Sequence, residues 1–264
     1  MISGIESARH KLGRATYHIK MLEGELTSYV NSSPYEWEPA WAFDETSQVH
    51  TCDLLVAKAT EIPDALALIA GDALTNLRAA LDHALFDHSV HVWTETHDGP
   101  PTLEERRRFG FPTAGNHPGQ LTDAVRNRLR PDVFEVVESV QPYNGGDAVR
   151  LLWLRDLVNQ DKHHQLLVTG NVEFSVSIND HPSIEYVDSQ SFPGTVLEEG
   201  ARFAQVRFTA ADGVDPRHVV SMAIGFPISL AVPPDDELEP IDVCLTKIAD
   251  YVAIILSRLE ALPI

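Results

Sequence analysis

Apolar residues at helical spacing open the chain. Ile5, Leu12, Ile19, Leu22, Leu26 and Tyr29 recur along one side of a 3.6-residue repeat, and residues 32–39 then interrupt them. This predicts a long amphipathic helix over 4–30. The next segment carries Trp37, Trp41 and Phe43 and the alternating run 49–56, and reads as a strand or an irregular cover. Pro63 stands where a first-turn proline belongs, and 62–88 runs almost without β-branched residues. A second long helix is expected there, ending in a polar, histidine-rich patch.

Residues 97–120 contain four prolines and four glycines, which predicts a loop enclosing one short helix at 103–108. Short helices are expected over 121–129 and 131–140. After QPYNGG, Asp147 is the natural N-cap of a helix running through 164. The repeat then shortens to two: 165–178, 184–188, 195–210 and 218–232 are rich in Val, Ile, Phe and Thr between turn residues, the mark of antiparallel strands. Helical spacing returns over 241–262 with Val243, Ile248, Val252, Ile255 and Leu259. Helices come before strands and do not alternate with them, so the expected class is α+β. The long helices near 4–30, 62–88, 147–164 and 241–262 form a bundle, and 165–232 forms an antiparallel sheet. We expect a single domain, 1–264, with a helical region covering 1–164 and 241–264, a sheet region covering 165–232, and the last helix packed back on the first two.

With 44% hydrophobic and 22% charged residues, a 264-residue chain has enough apolar surface to build such a core. No window approaches the roughly 18 apolar residues of a membrane helix, and the N-terminus lacks the apolar stretch of a signal peptide. A cytoplasmic location and no membrane partner are expected. Cys52 and Cys244 are too few for a disulfide framework and read as buried thiols. The formal charge of −19 disfavours general nucleic-acid binding, which needs Lys and Arg to displace counterions. Arg106, Arg107, Arg108, Arg126, Arg128 and Arg130 nevertheless gather six of the 20 basic residues, either as a local cationic strip or as a solvated face with partners such as Glu104 for Arg108.

Two helical stretches carry candidate chemistry. In GDALTNLRAALDH, residues 71–83, Leu66, Ala70, Ala73, Leu77, Leu81 and Ala84 make an apolar face while Asp72, Asn76 and His83 converge on another. Arg78 and Asp82 are at i,i+4 and suit an intrahelical ion pair. In LLWLRDLVNQDKHHQLL, residues 151–167, Arg155, Asn159 and His163 stack within about 80° of one face with Lys162 at its edge. Guanidinium, amide, imidazole and ammonium groups together suit an anion. The same cations would also complement the negative end of a helix. His83, Asp87, His88 and His91 offer a weak metal-ligand pattern without an accompanying HExxH or cysteine pair. There is no GxSxG, Walker loop or GxGxxG after a strand, so no cofactor is implied.

The strings GDALTNLRAALDH and QPYNGGDAVRLLWLRDLVNQDKHH resemble a bacterial protein family in which an NLRxALDH helix is followed by QPY and an NxDKHR helix. Here His164 replaces the final Arg, removing one cation. The similarity spans about 60–167 and implies no particular activity. Arg78 followed by His83 also resembles the HEPN superfamily, whose motif is Arg, four to six residues, then His. That resemblance implies a homodimer that cleaves RNA without metal, His83 moving a proton at the 2′-hydroxyl or the leaving oxygen and Arg78 holding the phosphate charge. The two residues lie about 140° apart on one helix and need a partner helix to act together. Two functions follow as expectations. One is an HEPN-like protein that binds RNA or a nucleotide through Arg78, His83, Asn76, Arg155, Asn159, Lys162 and His163. The other is a non-enzymatic module that binds a small ligand or a protein, with structural polar helices.

Overall fold

The computed structural model describes residues 4–115, 121–178, 184–192, 197–211, 213–218, 220–233 and 235–263. Residues 116–120 of the predicted loop, and 195–196 and 219 of two predicted strands, lie outside the described residues. In chain order the elements are α1 (Gly4–Asn31), β1 (Tyr35–Asp44), β2 (Val49–Ala59), α2 (Asp64–Thr96), α3 (Leu103–Arg106), α4 (Asp123–Arg126), α5 (Pro131–Ser139) and α6 (Val149–His163). There follow β3 (Val168–Gly170), β4 (Glu173–Ile178), β5 (Ile184–Ser191), β6 (Arg202–Ala210), β7 (Val220–Gly225), β8 (Ile228–Val232), β9 (Glu237–Pro240) and α7 (Ile241–Glu260). The class is α+β, as the periodicity predicts.

The chain divides into two compact units, Met1–Glu25 with Asp64–Val168 and Leu230–Ile264, and Leu26–Pro63 with Thr169–Ser229. The first is helical. α2 is buried on most sides because Ala67, Ala70, Gly71, Ala73, Ala80 and Ala84 let α6 and α7 approach it closely. The predicted apolar face of Leu66, Ala70, Ala73, Leu77, Leu81 and Ala84 is buried throughout, each leucine contributing about 1.5–3 kcal/mol by leaving water. α7 buries Cys244, Leu245, Ile248, Val252, Ile255 and Leu259. Val243, expected inside, is 40% exposed, since it stands about 200° round the helix from both Ile241 and Leu245.

The second unit corrects the predicted layout. Residues 35–59, which the expected layout assigns to the helical region, form the hairpin β1–β2, and the sheet runs β1-β2-β6-β5 with every neighbour antiparallel. It is therefore not drawn from 165–232 alone. β2 supplies the reason: Cys52, Leu54 and Val56 alternate inward and are fully buried, and β6 offers matching Phe203, Ala204 and Val206 to close that face. Trp37, Trp41, Met222, Ile224 and Phe226 pack against this cluster, Met222 and Ile224 coming from β7, which pairs separately with β4.

Two helix ends also differ from expectation. α2 continues to Thr96, so His88 and His91 lie within it and not beyond it. Asp147 does not cap α6. Gly145 and Gly146 adopt φ of 72° and 56°, which glycine tolerates, and lead into a 3₁₀ turn at Gly146–Ala148. Asp147 sits inside that turn and pairs with Arg150 at 2.7 Å.

Candidate functional site

The polar stripe of α2 is covered by α1. The backbone N–H of Gly4 donates to Asp87, Ser7 Oγ lies 2.8 Å from His83 Nδ1, and Lys11 Nζ reaches Asn76 Oδ1 at 3.5 Å. His18 Nδ1 stands 4.0 Å from Asp72 Oδ2. Positions 4, 7, 11 and 18 share one face of α1, so these contacts form a seam along two helices. Asn76 also donates to the Asp72 carbonyl at 2.8 Å. Predicted residues Asn76 and His83 are thus interhelical contacts.

Arg78 leaves α2 in another direction. Its guanidinium pairs with Asp82 at 3.0 Å, donates to the Phe111 carbonyl at 2.6 Å and reaches Thr113 Oγ1 at 3.2 Å. Asp82 Oδ1 accepts from the Phe111 N–H at 2.8 Å. Gln141, completely buried, accepts from the Ala114 N–H at 2.8 Å and donates to the Pro112 and Val137 carbonyls at 3.1 and 2.8 Å. Arg155 donates to the Ala114 carbonyl at 3.3 Å while paired with Asp156 at 2.6 Å, and Arg128 donates to the Gly110 carbonyl at 3.1 Å. Of the expected site residues, Arg78 and Arg155 therefore converge, but on the backbone of 111–114.

The physical need is plain. This segment buries Phe109, Phe111 and Ala114, and Pro112 and Gly110 disfavour a regular element, so its peptide groups leave water without helix or strand partners. Side chains of α2 and α6, with Gln141, supply the partners. A Cβ on Gly110 would meet Asp82 Oδ1 at 3.0 Å, so glycine lets the backbone lie against the carboxylate. Gln141 and Asp82 were not among the expected site residues. The signal for them is the loop itself, apolar, proline-interrupted and too short to bond internally.

The remaining candidates sit at the end of α6. Lys162, His163 and His164 are exposed and line an open cavity of about 510 Å³ with Asp64, Asp161 and Leu68. Gln165 Nε2 bonds Asp64 Oδ1 at 3.1 Å. Asp161 lies against the Cα of Gly71, and burial, then the charge of Asp72, pushes its carboxyl above the usual range. Asn159 is exposed on α6. Of the seven expected residues, Lys162 and His163 therefore share a cavity, Arg78 and Arg155 share a loop, and His83 and Asn76 share a seam.

Four further arginines of the cluster are engaged as well. Arg106 donates to the Pro101 carbonyl at 3.1 Å, Arg108 pairs with Glu104 at 2.9 Å, Arg126 covers the Phe134 ring at 4.4 Å, and Arg130 pairs with Asp132 at 2.9 Å and bonds the Pro263 carbonyl. The histidines of the weak metal-ligand pattern diverge: His83 meets Ser7, buried His88 bonds the Leu259 backbone, and His91 pairs with Glu95 at 3.3 Å. Among the described residues, no three His, Cys, Asp or Glu side chains are grouped to hold a metal ion. Likewise, no described helix is long and apolar enough to cross a membrane. Cys52 and Cys244 are buried thiols, pushed up to about 12 chiefly by desolvation. Comparison with protein-family models, with curated proteins and with solved structures finds no match to the chain.

Proposed function

We propose that the chain is a non-catalytic binding module whose polar helices are structural. One observation carries this reading: the hydrogen-bonding groups of Arg78, Asp82, Gln141 and Arg155 are engaged by the backbone of 110–114. Metal-independent RNA cleavage needs an imidazole at the reacting hydroxyl and a guanidinium on the phosphate. To serve there, Arg78 would have to leave Asp82, Phe111 and Thr113, and His83 would have to leave Ser7. On this reading the NLRAALDH and QPY strings are similar to those of the bacterial family because they build one loop clamp. The similarity to the HEPN motif is then one of spacing alone.

The test pairs activity with stability. Single-stranded RNA incubated with the protein in EDTA stays intact, while Arg78→Ala lowers the melting temperature and a thermal-shift screen finds stabilisation by a small non-phosphate ligand. Cleavage that disappears in His83→Ala at unchanged melting temperature overturns the proposal.

A further inference from the structure

We infer that the four-stranded sheet carries a binding site for a neutral sugar ring, on a shelf made by Trp41, Phe43 and His50. The inference rests on the binding-module reading and names its ligand class. Trp41 and Phe43 are two apart on β1 and so share a face, with Cys52 and His50 of β2 opposite them. Phe43 is 48% exposed, and its ring lies 4.5 Å from that of His50 at 34°. Trp41 is stacked against fully buried Phe208 at 6.2 Å and 30°, which fixes the plane of its ring. Trp41, Phe43 and His50 line one part of an open cavity of about 460 Å³, which Gly213, Asp215 and Arg217 line as well.

The part lined by Asp215 and Arg217 is polar and locally neutral. Arg217 Nε donates to both carboxylate oxygens of Asp215, at 2.9 and 2.8 Å, and the Arg217 backbone N–H adds a third bond at 3.0 Å. These bonds hold the Asp215 carboxyl down at about 2, so it is an acceptor at every physiological pH. The exposed guanidinium supplies donors beside it.

A pyranose presents two kinds of surface, C–H faces and a rim of hydroxyls that donate and accept. Aromatic rings cover the first and a carboxylate–guanidinium pair satisfies the second. The size falls within the roughly 300–1,000 Å³ of small-molecule sites. Charge decides against a nucleotide: the Asp215–Arg217 pair has no surplus cation, and the chain's −19 repels anions.

The full-length protein is titrated with glucose, N-acetylglucosamine, maltose and cellobiose, and separately with AMP as an anionic stacking probe. Binding is followed by tryptophan fluorescence and by amide chemical shifts. Saturable binding of a saccharide is expected, with shifts confined to residues 41–50 and 213–217. Phe43→Ala and Asp215→Asn each weaken it about tenfold at unchanged melting temperature, as loss of one stacking or charge-assisted contact requires. No binding across the saccharide panel, or equal affinity in Phe43→Ala, overturns the inference. AMP binding in place of a saccharide overturns the sugar class and leaves the module reading standing, whereas His83-dependent RNA cleavage overturns the module reading itself.

Discussion

Replacing Gln141 by Met removes three hydrogen bonds while keeping the side chain's length. Gln141 is completely buried and Ala114 is buried, whereas Pro112 is half-buried. The Ala114 N–H loses its acceptor at 2.8 Å, which costs about 1–3 kcal/mol for an unpaired buried donor. The Pro112 and Val137 carbonyls lose donors at 3.1 and 2.8 Å, worth about 0.5–1.5 kcal/mol each. Burial of the methionine thioether offsets part of this, leaving a destabilisation of roughly 3 kcal/mol, or about 6–12 °C in a chain of this size. Differential scanning calorimetry measures the drop, and hydrogen exchange at the Ala114 amide localises it. Gln141→Glu refines the test. The new carboxyl keeps an acceptor for Ala114 but, when ionised, turns acceptors toward two carbonyls. The fold therefore favours its protonated form, and this variant regains stability relative to the parent as the pH falls. A melting temperature within about 2 °C of the parent in Gln141→Met, with Ala114 still protected, would refute the reasoning that the clamp holds this loop.

Three further outcomes are expected. Gly71→Ala places a methyl group against the Asp161 carboxylate, which must swing aside, while alanine favours the helix by about 1 kcal/mol, so the net change in urea denaturation should stay within about 1 kcal/mol; adding Asp161→Ala should remove the clash and leave the double variant more stable than Gly71→Ala, and no gain would mean the strain lies elsewhere. His88 is buried, and desolvation, followed by the charge of Arg130, lowers its pKa. Its neutral form is favoured in the fold, so its contribution is present above its unfolded pKa of about 6.5 and is lost as the pH falls below that. His88→Gln should flatten the parent's loss of stability between about pH 7.5 and 5.5, and an unchanged slope would assign that loss to other groups. Cys52 and Cys244, with thiols pushed up to about 12, should resist a thiol-specific disulfide reagent until the chain unfolds; fast labelling of native protein would contradict their burial.

What is legible in the sequence follows from how local each cause is. The apolar stripes of α1, α2, α6 and α7 arise from a repeat within one element, and periodicity locates all four. The inward alternation of Cys52, Leu54 and Val56 is equally local, yet β1 obscures the hairpin because Pro39, Ala40 and both glutamates of Tyr35–Asp44 are exposed and a bulge falls between Glu36 and Trp37. The partner of β2 is a strand about 150 residues later, and nothing near either segment encodes that pairing. The same limit governs the site. Spacing brings Arg155, Asn159 and His163 onto one face of a helix, but not what covers that face. A peptide loop takes Arg155, while open solvent receives His163.

The geometry of α2 and α6 also shows why an anion-binding pattern is a weak guide in an acidic chain. A guanidinium offers five N–H donors, and peptide carbonyls accept them as phosphate oxygens do. The difference lies in neighbouring charge. Arg78 has Asp82, Arg130 has Asp132, Arg150 has Asp147, Arg155 has Asp156, Arg202 has Asp53, Arg207 has Asp188 and Arg217 has Asp215. Each of these seven guanidinia already faces a carboxylate, which leaves its remaining donors suited to neutral acceptors and its net field small. Such pairs orient carbonyls or hydroxyls well and attract phosphates poorly. Polyanion affinity at low ionic strength separates the two cases, because screening is weakest there. The protein should fail to retain on immobilised heparin or single-stranded RNA even at about 10 mM salt. Retention that weakens linearly with the logarithm of salt concentration would show cations left unneutralised on the surface, and would return the helices to the candidates for a nucleic-acid interface.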